Sequence, residues 1–220
     1  MSHRVRVWDL PTRLFHWSLF GCIVALVVTA KLGGNAMVWH FRLGHAVLAL
    51  LLFRLLWGFV GGHWSRFASF LHTPRAVLQH LRSDAEQSSV GHSPLGALSV
   101  FALLAVLTLQ VATGLASDDE ISFAGPLTRF LPSAIVGQAT AYHKDWGQWL
   151  VIALVLLHVA AVLFYLLVRR RNLIRPMLDG DKQLHAASAE SRDDTSARVL
   201  ALALAAACTA IAYGVSGLGN

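Results

Sequence analysis

Four stretches of this chain, residues 14–30, 87–117, 146–168 and 199–220, contain no Asp, Glu, Lys or Arg. A helix needs about 20 mostly apolar residues to cross the hydrocarbon core of a bilayer. Lipid offers no partner to backbone N–H and C=O groups, so spanning segments pair them internally, as helices do. A fifth stretch, roughly residues 43–61, is interrupted only by Arg54. The Ala-rich stretch 198–217 reads as a C-terminal span. Charged residues make up 14% of the chain, where a soluble domain carries about 25%. The expectation is an all-α membrane protein of five spanning helices. No small-residue cleavage site follows the first apolar run, so that run is expected to remain as a span and not to be removed as a signal. Lys31-Leu-Gly-Gly-Asn closes it as a short loop.

The basic residues sort by side. The N-terminus, the loop 63–94 and the segment 169–198 hold thirteen Lys or Arg, against four (Lys31, Arg42, Arg129, Lys144) on the opposite side. The positive-inside rule puts the first group in the cytoplasm, and with it the N-terminus. The loop 117–145, with Asp118-Asp119-Glu120, then faces outward. The net charge of +6 is thus explained by topology, without a nucleic-acid partner. The seven tryptophans fall near segment ends, where amphipathic rings anchor at the interface.

An ionisable side chain in hydrocarbon is costly and marks an ion path, a proton path or a bound cofactor. His16 and His158 lie within apolar runs, and His40 and His143 at the mouths of two others. Four imidazoles on helices, with no carboxylates buried among them, suit bis-histidine haem. Depth pairs His16 with His158 on the cytoplasmic side and His40 with His143 on the outer side. His143 and His158 are separated by about 22 Å of helix rise and share roughly one face, so one helix can serve two stacked cofactors. His45 competes with His40. A glycine four residues on favours His40 (Gly44), as it does His143 (Gly147), because it clears the same helix face for a porphyrin ring. Arg54, at the depth of the inner pair, either neutralises a propionate or snorkels to the interface.

The other histidines read as solvated: His63, His72, His80 and His92 in or beside the cytoplasmic loop, His3 and His185 in the termini. Their spacings match no common metal-ligand pattern. Cys22 and Cys208 read as small buried hydrophobes. Without C-x-x-C-H there is no site for covalent c-type haem.

The stretch Val7-Trp8-Asp9-Leu10-Pro11-Thr12-Arg13-Leu14-Phe15-His16-Trp17 resembles the opening of the prokaryotic cytochrome b561 family, which includes the b-type cytochrome subunits of nickel–iron hydrogenases and thiosulfate reductases. The resemblance continues in Trp39-His40-Phe41-Arg42-Leu43-Gly44 and in residues 52–61. It resumes in Asn172-Leu173-Ile174-Arg175-Pro176-Met177, and it covers roughly residues 4–178. It implies a four-helix transmembrane di-haem bundle over 4–178. A polar cytoplasmic linker (179–197) and an extra helix (198–217) follow. The family's ligands map onto His16, His40, His143 and His158 as axial ligands of two haem b, the same pairs that depth suggests. It also implies a place in the bacterial inner membrane and a periplasmic c-type cytochrome, dehydrogenase or hydrogenase subunit as partner. His45 stands where an apolar residue is expected.

The resulting expectation is an electron-transfer subunit working between a quinone pool and a redox partner. Bis-histidine iron has no open position, so it carries electrons and does not bind oxygen. The alternative is a quinone-linked oxidoreductase acting on a small substrate such as superoxide at the outer face, which asks for a basic funnel there. A transporter would ask for acids in mid-membrane, and a plain anchor leaves the histidines unexplained.

Overall fold

The structure is a computed structural model that describes residues 3–82, 90–184 and 186–219. His185 and the side chain of His80 lie outside the described residues. In chain order the elements are β1 (His3–Arg6), α1 (Leu10–Leu32), α2 (Ala36–Val60), α3 (Pro74–Arg82), α4 (Pro94–Leu115), α5 (Ser133–Ala141), a π-helical segment (Tyr142–Gly147), α6 (Gln148–Leu167), α7 (Ile174–Asp179), β2 (Asp181–Leu184) and α8 (Thr195–Ser216). Among the described residues, five helical runs are long and apolar enough to cross a membrane: Leu10–Leu32, Ala36–Val60, Pro94–Leu115, Ser133–Leu167 and Thr195–Gly219. This is the number and order that the four charge-free stretches and the stretch interrupted by Arg54 predict. Large apolar side chains such as Phe59, Leu156 and Leu202 stand exposed on them, as surfaces meant for lipid do.

Helix limits follow from local chemistry. Asp9 caps α1 through a 2.8 Å bond from the Thr12 amide, and Ser93 caps α4 from outside Pro94, a residue that fits a first turn because it has no N–H to leave unpaired. Gly33 and Gly34, at φ +65° and +51°, end α1 in the left-handed region that glycine tolerates.

Two boundaries differ from expectation. The second span begins at Ala36, several residues before the expected stretch, so His40 sits a full turn inside the helix. The outer loop does not run to residue 145. Residues 133–167 are one helical run, and His143 lies inside it. Lys144 and Asp145 interrupt the charge-free stretch. A charge, however, limits where lipid can be, not where a helix can continue.

The chain divides into two compact units. One comprises residues 1–15, 54–102 and 156–203, the other 16–53, 103–155 and 204–220. In the first, β1 pairs antiparallel with β2, His3 opposite Leu184 and Arg6 opposite Asp181, and Asp181 holds Arg6 at 2.8 Å. Val5, Val7 and Trp8 form a buried core with Trp64, Met177 and Leu184 against it. The polar segment 179–197 therefore carries structure of its own. Ser191 donates from its hydroxyl to Val7 O at 2.7 Å and from its amide to Arg6 O at 2.8 Å. In the second unit, Cys208 is buried and Cys22 half-buried, and both are free thiols.

Candidate functional site

In the second unit, His40 on α2 and His143 in the π-helical segment face each other with ring centroids 6.2 Å apart and planes at 89°. The Nδ1 of each is tied to a neighbouring helix: His40 to Leu26 O of α1 at 3.1 Å, and His143 to Gln110 O of α4 at 2.9 Å. A carbonyl only accepts, so each Nδ1 carries the proton and each Nε2 keeps its lone pair. A metal–imidazole bond is about 2 Å, which puts the centroids of two imidazoles on opposite sides of one metal about 6 Å apart. Fixing Nδ1 to a backbone carbonyl is the usual way a protein orients such a ligand. The pair thus has the separation, tautomer and support that a bis-imidazole iron site needs.

Glycines shape the surroundings. A Cβ built on Gly44 meets nothing within 4 Å, whereas one on Gly114 would come 2.7 Å from His143 Cε1. Gly44 thus borders open space beside His40, and Gly114 lets the His143 ring lie against α4. Gly147 differs from expectation. Its face is filled by Gln110 and Tyr142, so it accommodates a side chain, not a porphyrin. Gln110 Nε2 donates to His143 O at 3.0 Å. A π-helical turn displaces the regular backbone ladder, and such turns gather at functional sites. Gln110 was not singled out in the sequence. It is the one side-chain amide of α4, and a polar residue in a span was the signal available.

His45 points elsewhere. Its Nδ1 donates to Phe41 O of its own helix at 2.8 Å, and its Nε2 is sealed from solvent without a partner. His16 is half-buried in this second unit, its ring edge-on to Trp17 at 5.1 Å. His158 is half-buried on α6 in the first unit.

The first unit holds a second polar cluster. Arg54 is only 3% exposed, its guanidinium lies 4.8 Å over the Phe67 ring, and its Nη1 is buried without a hydrogen-bond partner. Snorkelling is excluded by that burial. His92, expected as a solvated loop residue, is instead wedged between Trp8 (4.6 Å) and Phe70 (4.4 Å), with Nδ1 sealed. Burial first, and then the charges of Arg54, Lys182, His158 and His72, push its pKa down to about 3. Its loop position hid this, because depth along a loop is not readable from hydropathy. His72 is half-buried too, with Nε2 sealed. Among the remaining loop and terminal histidines, His3 is exposed and His63 packs on Trp64.

Asp9 was also missed. It is fully buried and accepts bonds from Trp57 Nε1 (3.2 Å), the Gly62 amide (3.0 Å), Ser65 Oγ (2.6 Å) and the Thr12 amide. A Cβ on Gly62 would sit 2.5 Å from Asp9 Oδ2. Trp57, expected as an interfacial anchor, is therefore a core residue with 0% exposure.

The loop after α4 presents acids. The amides of Phe123, Ser122 and Ile121 hold the Asp119 carboxyl below the usual carboxylate range. Asp118, Glu120 and Asp145 share a cleft of about 630 Å³ with Arg129 and Lys144.

Five apolar helical runs and a closely spaced imidazole pair are what a membrane cytochrome would need. The prokaryotic cytochrome b561 family matches residues 7–180, and the chain belongs to that family. It is a b-type, electron-transferring membrane cytochrome, which implies haem b. It is 26% identical over 214 residues to a probable Ni/Fe-hydrogenase B-type cytochrome subunit of Bradyrhizobium diazoefficiens, covering 81% of this chain and 86% of that one. It is 28% identical over 211 residues to the Azotobacter vinelandii protein of the same name (80% and 87% covered). An Escherichia coli K12 protein, a probable Ni/Fe-hydrogenase 1 B-type cytochrome subunit, is 24% identical over 212 residues (79% and 88%). No solved structure matches the chain.

Proposed function

We propose that this chain carries two haem b across the bacterial inner membrane, passing electrons between a quinone pool and a redox partner, with a nickel–iron hydrogenase as the partner the relatives' names suggest. The observation that carries the reading is the His40–His143 pair, 6.2 Å apart with both Nδ1 protons committed to backbone carbonyls. Bound there, haem would supply a one-electron couple. The chain's own residues do the rest. His40 and His143 would ligate one iron, Leu26 and Gln110 carbonyls fix their rings, and Gly44 leaves room for the macrocycle. His16 and His158 are the proposed ligands of the second haem. That pairing rests on their depth in the sequence and on the family resemblance.

The excess of Lys and Arg in the N-terminus, the loop 63–94 and the segment 169–198 supports a cytoplasmic N-terminus. It leaves Asp118, Asp119 and Glu120 outside, where a periplasmic partner with a basic face can dock, a hydrogenase subunit or a c-type cytochrome. The superoxide alternative asks for a basic funnel, and the cleft beside α5 sets Asp118, Glu120 and Asp145 against Arg129 and Lys144.

The test is a haem-to-protein ratio by pyridine haemochrome on the detergent-purified protein, with His40→Ala and His45→Ala beside it. Two b haems per chain are expected, about half lost in His40→Ala and none in His45→Ala. One haem in the parent protein would end the transmembrane wire, and loss in His45→Ala alone would move the ligand along α2.

A further inference from the structure

Arg54 and His92 share one aromatic wall in the first unit. Phe67 lies under the Arg54 guanidinium at 4.8 Å, Phe70 adjoins Phe67 at 5.9 Å, and the His92 ring lies 4.4 Å from Phe70. Phe101 backs both phenylalanines, at 5.6 and 5.4 Å. Gly58 lets the wall form, since a Cβ there would run into the Phe67 ring. Two nitrogens along this wall, Arg54 Nη1 and His92 Nδ1, are sealed from solvent and have no hydrogen-bond partner.

A buried guanidinium nitrogen without a hydrogen-bond partner is costly, and the Asp9 carboxylate acts on Arg54 through space only. Asp9, the one fully buried carboxylate among the described residues of this unit, has both oxygens occupied by the Trp57, Gly62, Ser65 and Thr12 donors, so it lends Arg54 charge but no hydrogen bond. The groups around His92 are Arg54, Lys182, His158 and His72, every one of them neutral or positive. A cation is therefore excluded from this place. A neutral ligand such as a quinone ring could accept the two hydrogen bonds but would lack the charge assistance that a guanidinium gives an anion. A carboxylate does both: it takes a charge-assisted bond from the guanidinium and a second from an imidazole N–H. His158 belongs to the same unit and interacts electrostatically with His92.

We propose that Arg54 and His92 form a carboxylate-binding site that holds a propionate of the haem carried on His158. This rests on the two-haem reading above, takes up the propionate role open to Arg54, and adds to it a loop residue, His92. His92 acts as a positioning and hydrogen-bonding residue, not as an iron ligand.

The experiment is a redox titration of the full-length, haem-loaded protein, with infrared difference spectra of haem labelled with ¹³C at its propionate carboxyls. Arg54→Gln and His92→Phe are each expected to favour the oxidised form of one haem about tenfold, ~59 mV for one electron, and to shift the labelled carboxylate band. Arg54→Lys should keep most of the potential, because it keeps the charge. If the other haem keeps its midpoint throughout, the effect is local, as expected. Unchanged bands and potentials in both variants would overturn the proposal while leaving the haem count intact. So would a wild-type midpoint that follows the buffer anion, since that would mean a free anion fills the site. If both variants lose all haem, wild-type protein loaded with haem dimethyl ester makes the same test. A raised midpoint of the same haem is expected, because the ester removes a negative charge beside the iron, and an unchanged one overturns the proposal. A wild-type protein with no haem would instead sink the function on which this inference stands.

Discussion

Gln110 and His143 hold each other twice. The His143 Nδ1 donates to the Gln110 carbonyl at 2.9 Å, and the Gln110 side-chain Nε2 donates back to the His143 carbonyl at 3.0 Å. The first bond aims the ring. The second ties α4 to the π-helical segment that carries the ring. Gln110→Leu keeps the first bond and deletes the second, a part-buried hydrogen bond worth about 0.5–1.5 kcal/mol. The expected outcome is a lower melting temperature and a changed low-spin electron paramagnetic resonance signal for one haem, with the other signal unmoved. An unchanged spectrum would show that the ring is aimed without this clasp.

The two glycines beside the pair should fail differently. Gly44 borders open space, so Gly44→Leu should leave the haem-free fold intact and lower haem content by about one of two. Gly114→Ala puts a methyl 2.7 Å from His143 Cε1, so it should push the ring out of line. Here the expected loss is of both stability and haem, seen by thermal unfolding and haemochrome together. Equal behaviour of the two variants would remove the distinction drawn between cofactor space and ring space.

Asp9 gathers Trp57, Gly62, Ser65 and Thr12 into one buried network. Asp9→Ala strands all four donors, and breaking a buried charged hub costs about 3–5 kcal/mol. Asp9→Asn keeps the shape but turns an acceptor into a donor, so it should recover only part of the loss. Detergent-resistant yield and melting temperature measure both.

His92 sets a pH dependence. Its folded pKa of about 3 lies below the roughly 6.5 of an unfolded histidine. Between those values the unfolded chain binds more protons, so stability is full above about pH 6.5 and falls as the pH drops toward 3. Haem-free protein should show a lower melting temperature at pH 5 than at pH 7.5, and His92→Phe should flatten that slope. A carboxylate beside His92 would favour its protonated form, so haem-loaded protein should show a shallower slope than haem-free protein. Equal slopes for His92→Phe and the parent would assign the acid sensitivity to other groups.

The spans were legible because lipid excludes charge, and a run without Asp, Glu, Lys or Arg registers that exclusion directly. The facing of His40 and His143 was legible for the same reason, from depth. The helix from Ser133 to Gly147 was not, because Lys144 and Asp145 mark a change of solvent and not a change of backbone. Nor was the burial of His92 or Asp9. Each lies just outside a span, where neighbours far along the chain, Phe70 for the one and Trp57, Gly62 and Ser65 for the other, decide what is buried. The role of Gly147 was misread because periodicity gives the face a residue occupies but not what fills it, here Gln110. The short strands were hidden by their Arg and Lys content, which suits an edge ribbon as well as a loop.

The pairing of β1 with β2, reinforced by Ser191 on Arg6 and Val7, joins the first residues of the chain to residues made after the fourth span. The N-terminal strand must therefore wait through the synthesis of some 175 intervening residues before its partner exists. A nascent chain stalled within the fourth span would carry a raw strand edge and an unclosed Val5–Val7–Trp8 core. Closure of this ribbon therefore comes only after the four spans between its strands have been made.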